Sequence, residues 1–125
     1  MSEEQLKALE TLGVNYDEII GRFMGKADFY IRMIKKLPAD KSFKESKEAL
    51  EKGDYAAMLA ATHTLKGLVG NFGFQKLIDD ICPLNEALRK EPYDEAYIRN
   101  KFEGIERNYQ EAMEVINTKF AKLEN

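Results

Sequence analysis

The chain has 125 residues, with 22 acidic and 19 basic side chains and a formal net charge of −3 at pH 7. This length predicts a single domain spanning residues 1–125, and a hydrophobic fraction of 44% is enough for a core but not for a membrane protein. Because the basic residues are scattered among acidic ones, the composition argues against binding to nucleic acid.

The first part of the chain predicts two helices. Ser2 and Gln5 have the spacing of a capping box, so the first helix begins after Ser2 and ends near Gly13. Asn15, with a glutamate three residues later, begins a long second helix that ends at Pro38. The apolar residues of this segment recur at helical spacing: Ile19, Phe23, Tyr30, Met33 and Ile34.

Two further helices follow, and the second contains the single histidine. Ser42, with a glutamate three residues later, is predicted to begin the third helix, and Gly53 to close it. Asp54 is well placed to cap the fourth helix, which runs to about Phe72 before a turn at Gly73.

The last part of the chain also has helical periodicity. Residues 74–90 predict one helix that bends at Pro83 and ends before Pro92. The final helix runs from Asp94 to about Leu123. Its apolar stripe comprises Tyr97, Ile98, Phe102, Ile105, Tyr109, Met113, Ile116 and Phe120.

These segments predict an all-α fold, because alternating strand patterns and Asn-Gly hairpin turns are missing from the sequence. We expect five or six helices, arranged as an antiparallel four-helix bundle with one or two additional N-terminal helices. No apolar stripe is left over for obligate dimerisation, so we expect a monomer.

Cysteine and histidine usage limits the possible sites. The chain has one cysteine, Cys82, and one histidine, His63. An internal disulfide and a zinc site built from His and Cys ligands are therefore excluded. We expect Cys82 to be a buried core residue. The N-terminus does not resemble a signal peptide, and no apolar run approaches the roughly 20 residues of a membrane span. We therefore expect a cytoplasmic protein with no membrane association and no metal or cofactor of its own.

Helical geometry predicts that His63 faces solvent. At about 100° per residue, the opposite side of its helix carries the predicted core residues Met58, Ala61, Leu65, Leu68, Val69 and Phe72. The outward side carries small residues, one leucine and one lysine, and no acid: Ala56, Leu59, Ala60, Lys66, Gly67 and Gly70. A solvated surface histidine and a functional one both fit this pattern.

The chemistry of the histidine narrows its possible roles. No carboxylate nearby in sequence would fix the tautomer of a general base. An exposed imidazole is a competent nucleophile toward an activated phosphoryl group. Lys66, one turn on, could offset the phosphoryl charge, and at Gly67 any side chain would crowd the imidazole. The glycines do not form a P-loop, since no Gly-Lys-Ser/Thr ending follows a strand.

The stretch GDYAAMLAATHTLKGLVGNFGFQKLIDDICPLNEALR, residues 53–89, resembles the histidine-containing phosphotransfer (HPt) domains of phosphorelays. The resemblance lies in Gly-Asp plus an aromatic residue before the helix, then His-x-x-Lys-Gly and a Gly-Asn-x-Gly turn. It implies that His63 is the phosphoacceptor at its outer ring nitrogen, that Lys66 holds the phosphoryl group and that Gly67 keeps the approach open.

The resemblance also implies partners. These are response-regulator receiver domains, a hybrid sensor histidine kinase, or both, with Mg²⁺ bound in the receiver and no autonomous kinase activity in this chain. The predicted docking residues flank the histidine: Tyr55, Leu59, Ala60, Gly70 and Gln75. Packing against a neighbouring helix is the alternative for Tyr55.

The chain departs from the family pattern at a few positions. Asn85 stands where an acidic residue is common, Pro83 interrupts its helix, and Leu68 and Val69 replace small residues. These changes bear on helix geometry and partner choice more than on the phosphoacceptor.

Two functions of other classes remain open. One is a helical adaptor that binds a partner without being phosphorylated. The other is a small hydrolase with His63 as base, which would need a carboxylate from Asp79, Asp80 or Glu86.

Overall fold

A computed structural model describes residues 1–121, and every regular element within them is helical. Short 3₁₀ turns span Ile20–Phe23 and Leu37–Ala39. The α-helices are α1 (Glu3–Thr11), α2 (Tyr16–Ile19), α3 (Ala27–Ile34), α4 (Ser42–Lys52), α5 (Tyr55–Asn71), α6 (Gln75–Leu88) and α7 (Glu95–Lys119). The predicted all-α class is therefore confirmed over this range.

Helix α1 begins at the predicted capping box. The backbone N–H of Gln5 donates to the Ser2 hydroxyl at 3.1 Å, and the Ser2 N–H donates to the Gln5 side chain at 3.0 Å. The Gln5 amide also donates to the backbone carbonyl of Lys119 at 2.9 Å, which ties α1 to the end of α7. Gly13 makes the following turn with a φ of +84°.

The prediction of one helix from Asn15 to Pro38 is wrong. The chain forms the single turn of α2 and a 3₁₀ turn, and then reverses at Met24 (φ +59°) and Gly25 (φ +69°) before α3 begins. Gly25 suits this left-handed backbone because it has no Cβ. The break lets Phe23 stack on Phe72, the residue after α5, with ring centroids 5.9 Å apart, while Tyr30 meets Phe23 edge-on at 5.0 Å. The packing of these aromatic rings therefore stabilises the break more than a continuous helix would be stabilised.

Helix α4 begins at Ser42, as predicted, but the Ser42 hydroxyl does not cap it. Ser42 is the first residue of the helix, and its backbone N–H donates to the Asp40 carboxylate at 2.8 Å. Asp40 therefore satisfies a free N–H group at this helix start, two residues earlier than the sequence suggested. Gly53 ends the helix with a φ of +69°, as predicted.

The last two helices largely match their predictions. Helix α6 continues through Pro83 as a single helix, although it ends at Leu88 rather than Lys90. Helix α7 buries most of the predicted stripe, whereas Tyr97 is 39% exposed and Met113 is half-buried. Leu123, the predicted end of the last helix, lies outside the described residues.

Consecutive helices from α4 to α7 pack against one another. Thr62 of α5 meets Asn85 of α6, while Gly70 lies near Ile78, so these two helices run antiparallel. Phe43 of α4 stacks on Tyr109 of α7 with ring centroids 4.3 Å apart, which brings α4 and α7 together as well. In the described part of the chain, no helix combines the length and apolarity needed to cross a membrane.

Candidate functional site

Helix α5 begins and ends where the sequence predicted. The Asp54 carboxylate accepts the backbone N–H of Ala57 at 3.1 Å, which caps the first turn. The helix ends at Asn71, and Gly73 turns the chain with a φ of +79°. Ile19 lies 3.2 Å from the place a Cβ would occupy on Gly73, so both backbone and space favour glycine there.

The centre of one face of α5 is fully buried. Met58, Leu65 and Val69 have no exposed surface, and Phe72 just beyond the helix is buried too, which confirms four predicted core residues. Ala61 and Leu68, also predicted for the core, are half-buried.

Thr62 is a buried residue that sequence reasoning missed. Its Oγ1 lies 2.9 Å from the carbonyl of Met58 and 2.6 Å from Oδ1 of Asn85, which is also buried. A hydroxyl has one hydrogen and can donate to only one of these oxygens. In this orientation Nδ2 of Asn85 has no partner. Turning the amide by 180° lets Nδ2 donate to Thr62 and the hydroxyl donate to Met58.

His63, next to Thr62, projects into solvent as predicted. Within residues 1–121, no hydrogen bond or salt bridge to its imidazole is present. The neighbouring Thr64 hydroxyl donates to the carbonyl of Ala60, so it does not orient the ring. The imidazole is accessible to a second molecule.

Lys66 and Gly67 follow on the same side of α5. Lys66 is half-buried, and no acid of the described chain pairs with its ammonium group. Gly67 is exposed, and a Cβ built on it would meet no atom within 4 Å. The expectation that any side chain there would crowd the imidazole is therefore wrong for a single methyl group. Within this molecule, an alanine fits.

The predicted docking residues are spread along and beyond α5. Ala60 is exposed, and Leu59 is half-buried against the core. The ring of half-buried Tyr55 packs edge-on against Tyr93 at 4.8 Å, but Tyr93 lies between α6 and α7 and not on a neighbouring helix. Gln75 is exposed, and its amide donates to the Asp79 carboxylate at 2.8 Å.

Arg22 is a second residue that sequence reasoning missed. Its Nη1 donates to the carbonyl of Gly70 at 3.0 Å, near the C-terminal end of α5. The two residues are 48 positions apart, so no local pattern could have predicted the contact. Arg22 and Gly70 line an open groove of about 270 Å³, whose other walls include Glu18, Gln75 and Ile78.

The carboxylates considered for a hydrolase make other contacts. Asp79 accepts from Gln75, Asp80 from the amide of Asn108, and Glu86 pairs with Arg89 at 2.9 Å. No described carboxylate hydrogen-bonds to the imidazole. Over the described range, no group of three or more His, Cys, Asp and Glu side chains could hold a metal ion. Cys82 is a free thiol and is half-buried, rather than fully buried as expected.

The positions that depart from the HPt pattern are buried or half-buried. Asn85 is buried against Thr62, Val69 is in the core, and Leu68 is half-buried against it. These side chains shape the packing of α5 against its neighbours, and the outward face around His63 is formed by other residues.

Comparison of the chain with protein-family models, with curated proteins and with solved structures finds no match.

Proposed function

We propose that this chain is a histidine phosphotransfer protein. In this proposal α4 to α7 form an antiparallel four-helix bundle with the N-terminal helices added to one end. His63 is the residue that carries the phosphoryl group. The observation that supports the proposal best is an exposed imidazole with no hydrogen-bond partner among the described residues, beside Lys66 and the open surface at Gly67.

The transfer reaction is a direct displacement at phosphorus. The lone pair of the outer ring nitrogen, Nε2, attacks the phosphoryl group of an aspartyl phosphate on a receiver domain. An N–P bond forms as the P–O bond to the aspartate breaks, and the aspartate leaves as a carboxylate. Because the ring of His63 is exposed, a proton on Nδ1 exchanges with water. Transfer to a second receiver aspartate reverses these steps.

Each neighbouring residue has a specific task in this mechanism. The ammonium group of Lys66 offsets the negative charge on the phosphorylated ring. The bare surface at Gly67 allows the backbone of a receiver to approach closely. The receiver supplies Mg²⁺ and most of the stabilisation of the transition state, so this chain acts as a carrier with no kinase activity of its own.

The proposal extends to the setting of the protein. We propose a cytoplasmic monomer whose partners are response-regulator receiver domains, a hybrid sensor histidine kinase, or both. The adaptor function predicts binding without transfer. The hydrolase function is disfavoured by the contacts of Asp79, Asp80 and Glu86, none of which is with His63.

Phosphoryl transfer from radiolabelled phospho-receiver domains tests the proposal directly. The wild-type chain should acquire an acid-labile, alkali-stable label, as expected of a phosphoramidate, and His63→Gln should acquire none. Thr64→Ala, a change at the adjacent exposed position, is the matched control and should be labelled like the wild type. A folded wild-type chain that binds receivers but takes no label from any of them would support the adaptor function instead.

A further inference from the structure

The contact between Arg22 and Gly70 brings a guanidinium group to the phosphoacceptor side of α5. Gly70 is seven residues after His63, so the two lie on nearly the same side of the helix, about 10 Å apart along its axis. Arg22 is exposed, and within the described residues it uses one of its five N–H groups, in the bond to the Gly70 carbonyl. The remaining donors can bind a group outside this chain.

Two glycines lie on the outward side of α5 between His63 and Arg22. Gly67 lies midway, where a Cβ would meet nothing within 4 Å, and Gly70 itself forms part of the groove wall. A partner that covers the imidazole therefore also reaches the groove. This groove belongs to the same surface as the proposed phosphoryl site.

This surface carries two cations that an acidic partner group can bind. Arg22 and Lys66 are two cations on it, and neither forms an ion pair with a described side chain. Glu18 is an acid in the groove wall, and Asp79 on α6 accepts the amide of Gln75, another wall residue. Arginine suits this task because its planar fork binds a carboxylate through two parallel hydrogen bonds.

We propose that Arg22 is a docking residue, and that it binds an acidic side chain of the receiver domain while His63 faces the aspartyl phosphate. This inference rests on the proposed function, since the partner is the same receiver. In this proposal the 3₁₀ turn that contains Arg22 forms one wall of the docking surface. Arg22 does not touch the reacting atoms, so it acts on association and not on the chemistry of the imidazole.

Receiver binding by matched charge-removal variants tests the proposal. Arg22→Ala should weaken binding of the transferring receiver about tenfold at low ionic strength, and the loss should shrink as salt is added. Arg32→Ala removes the same charge from an exposed position in the same segment but outside the groove, and should change the affinity by less than about twofold. Equal effects of the two substitutions would overturn the proposal.

Two further variants separate docking from folding. Arg22→Lys keeps the charge but loses the fork, and should bind more weakly than the wild type with an unchanged urea unfolding midpoint. Glu18→Gln removes the acid from the groove wall and should bind more tightly. If Glu18→Gln binds no better and Arg22→Lys binds like the wild type, the docking role is overturned. Arg22 then only stabilises the C-terminal end of α5 through its bond to Gly70.

A small phosphoryl donor distinguishes this inference from the proposed function. Phosphoramidate needs no docking surface, so it should label the wild type and Arg22→Ala equally and leave His63→Gln unlabelled. A wild type that neither phosphoramidate nor any receiver labels contradicts the proposed function. Equal labelling by phosphoramidate together with equal labelling by the receiver contradicts the role of Arg22 alone.

Discussion

Thr62 and His63 are neighbours in α5, yet they lie in opposite environments. Thr62 is fully buried and bonded to α6, whereas His63 is exposed and has no bonding partner within the described chain. The buried face holds α5 in place through packing and one polar contact. The outward face includes two glycines inside a helix, at a cost of roughly 1 kcal/mol each relative to alanine. Stability and the proposed chemistry thus depend on different faces of one helix.

The largest effect expected from a change on the buried face comes from Thr62→Val. It removes the hydroxyl and leaves the Asn85 side chain buried without its partner, which should lower the free energy of unfolding by about 1–3 kcal/mol. Urea denaturation followed by circular dichroism measures this. Below the denaturation range, labelling of His63 should be unchanged, because the imidazole does not contact the pair.

A double-mutant cycle sharpens that prediction. Thr62→Val combined with Asn85→Leu replaces both polar partners, so the double variant should lose less stability than the sum of the two single variants. Additive losses would mean that the two side chains do not interact, and that the polar contact does not hold α5 to α6.

A smaller effect concerns the packing beyond the end of α5. The buried Tyr30 hydroxyl donates to the carbonyl of Phe72 at 2.9 Å, and Tyr30→Phe should cost about 1 kcal/mol at pH 7. Burial raises the pKa of Tyr30 well above the ordinary value of 10.0. The stability conferred by the neutral phenol is therefore complete below pH 10 and decreases as the unfolded chain ionises above it.

The pH dependence of Tyr30→Phe provides the measurement. Wild-type stability should fall more steeply than that of the variant between pH 10 and pH 11. The stability of Tyr30→Phe should still decrease with pH in this range, because burial also raises the pKa of Tyr109. Identical slopes for the wild type and Tyr30→Phe would show that this phenol does not titrate differently in the folded and unfolded chains.

The smallest effect is a gain in stability on the outward face. Gly67→Ala should raise the free energy of unfolding by roughly 0.5–1 kcal/mol, since the new methyl group meets no atom within 4 Å. Under the proposed function the same methyl group slows transfer from a receiver but not labelling by phosphoramidate. A variant that is more stable and transfers at the wild-type rate would show that Gly67 is not needed for access.

Local sequence signals predicted the parts of the site that lie on α5. The Asp54 cap, the end near Phe72 and the outward direction of His63 all follow from residues within a few turns of one another. The assignment of His63 as a phosphoacceptor stays a prediction, because it depends on chemistry that no contact in this chain reports.

Contacts between distant segments could not be predicted in this way. The Arg22 bond to Gly70 and the pairing of Thr62 with Asn85 each require two segments that are distant in sequence to pack together. The break at Met24 has the same origin. The apolar periodicity continues through this position, but the stacking of Phe23 on Phe72 favours a break in the helix. Helical spacing describes one element at a time and contains no information on which partner it meets.

The length of α7 has a consequence for the N-terminal helices. At 1.5 Å per residue, its 25 residues extend about 37 Å, against about 26 Å for the 17 residues of α5. Helices α4 to α6 are therefore too short to cover all of it. Helix α1 contacts α7, and Gln5 holds the carbonyl of Lys119 at its far end. The N-terminal helix thus packs against the end of α7 that extends beyond α4 to α6.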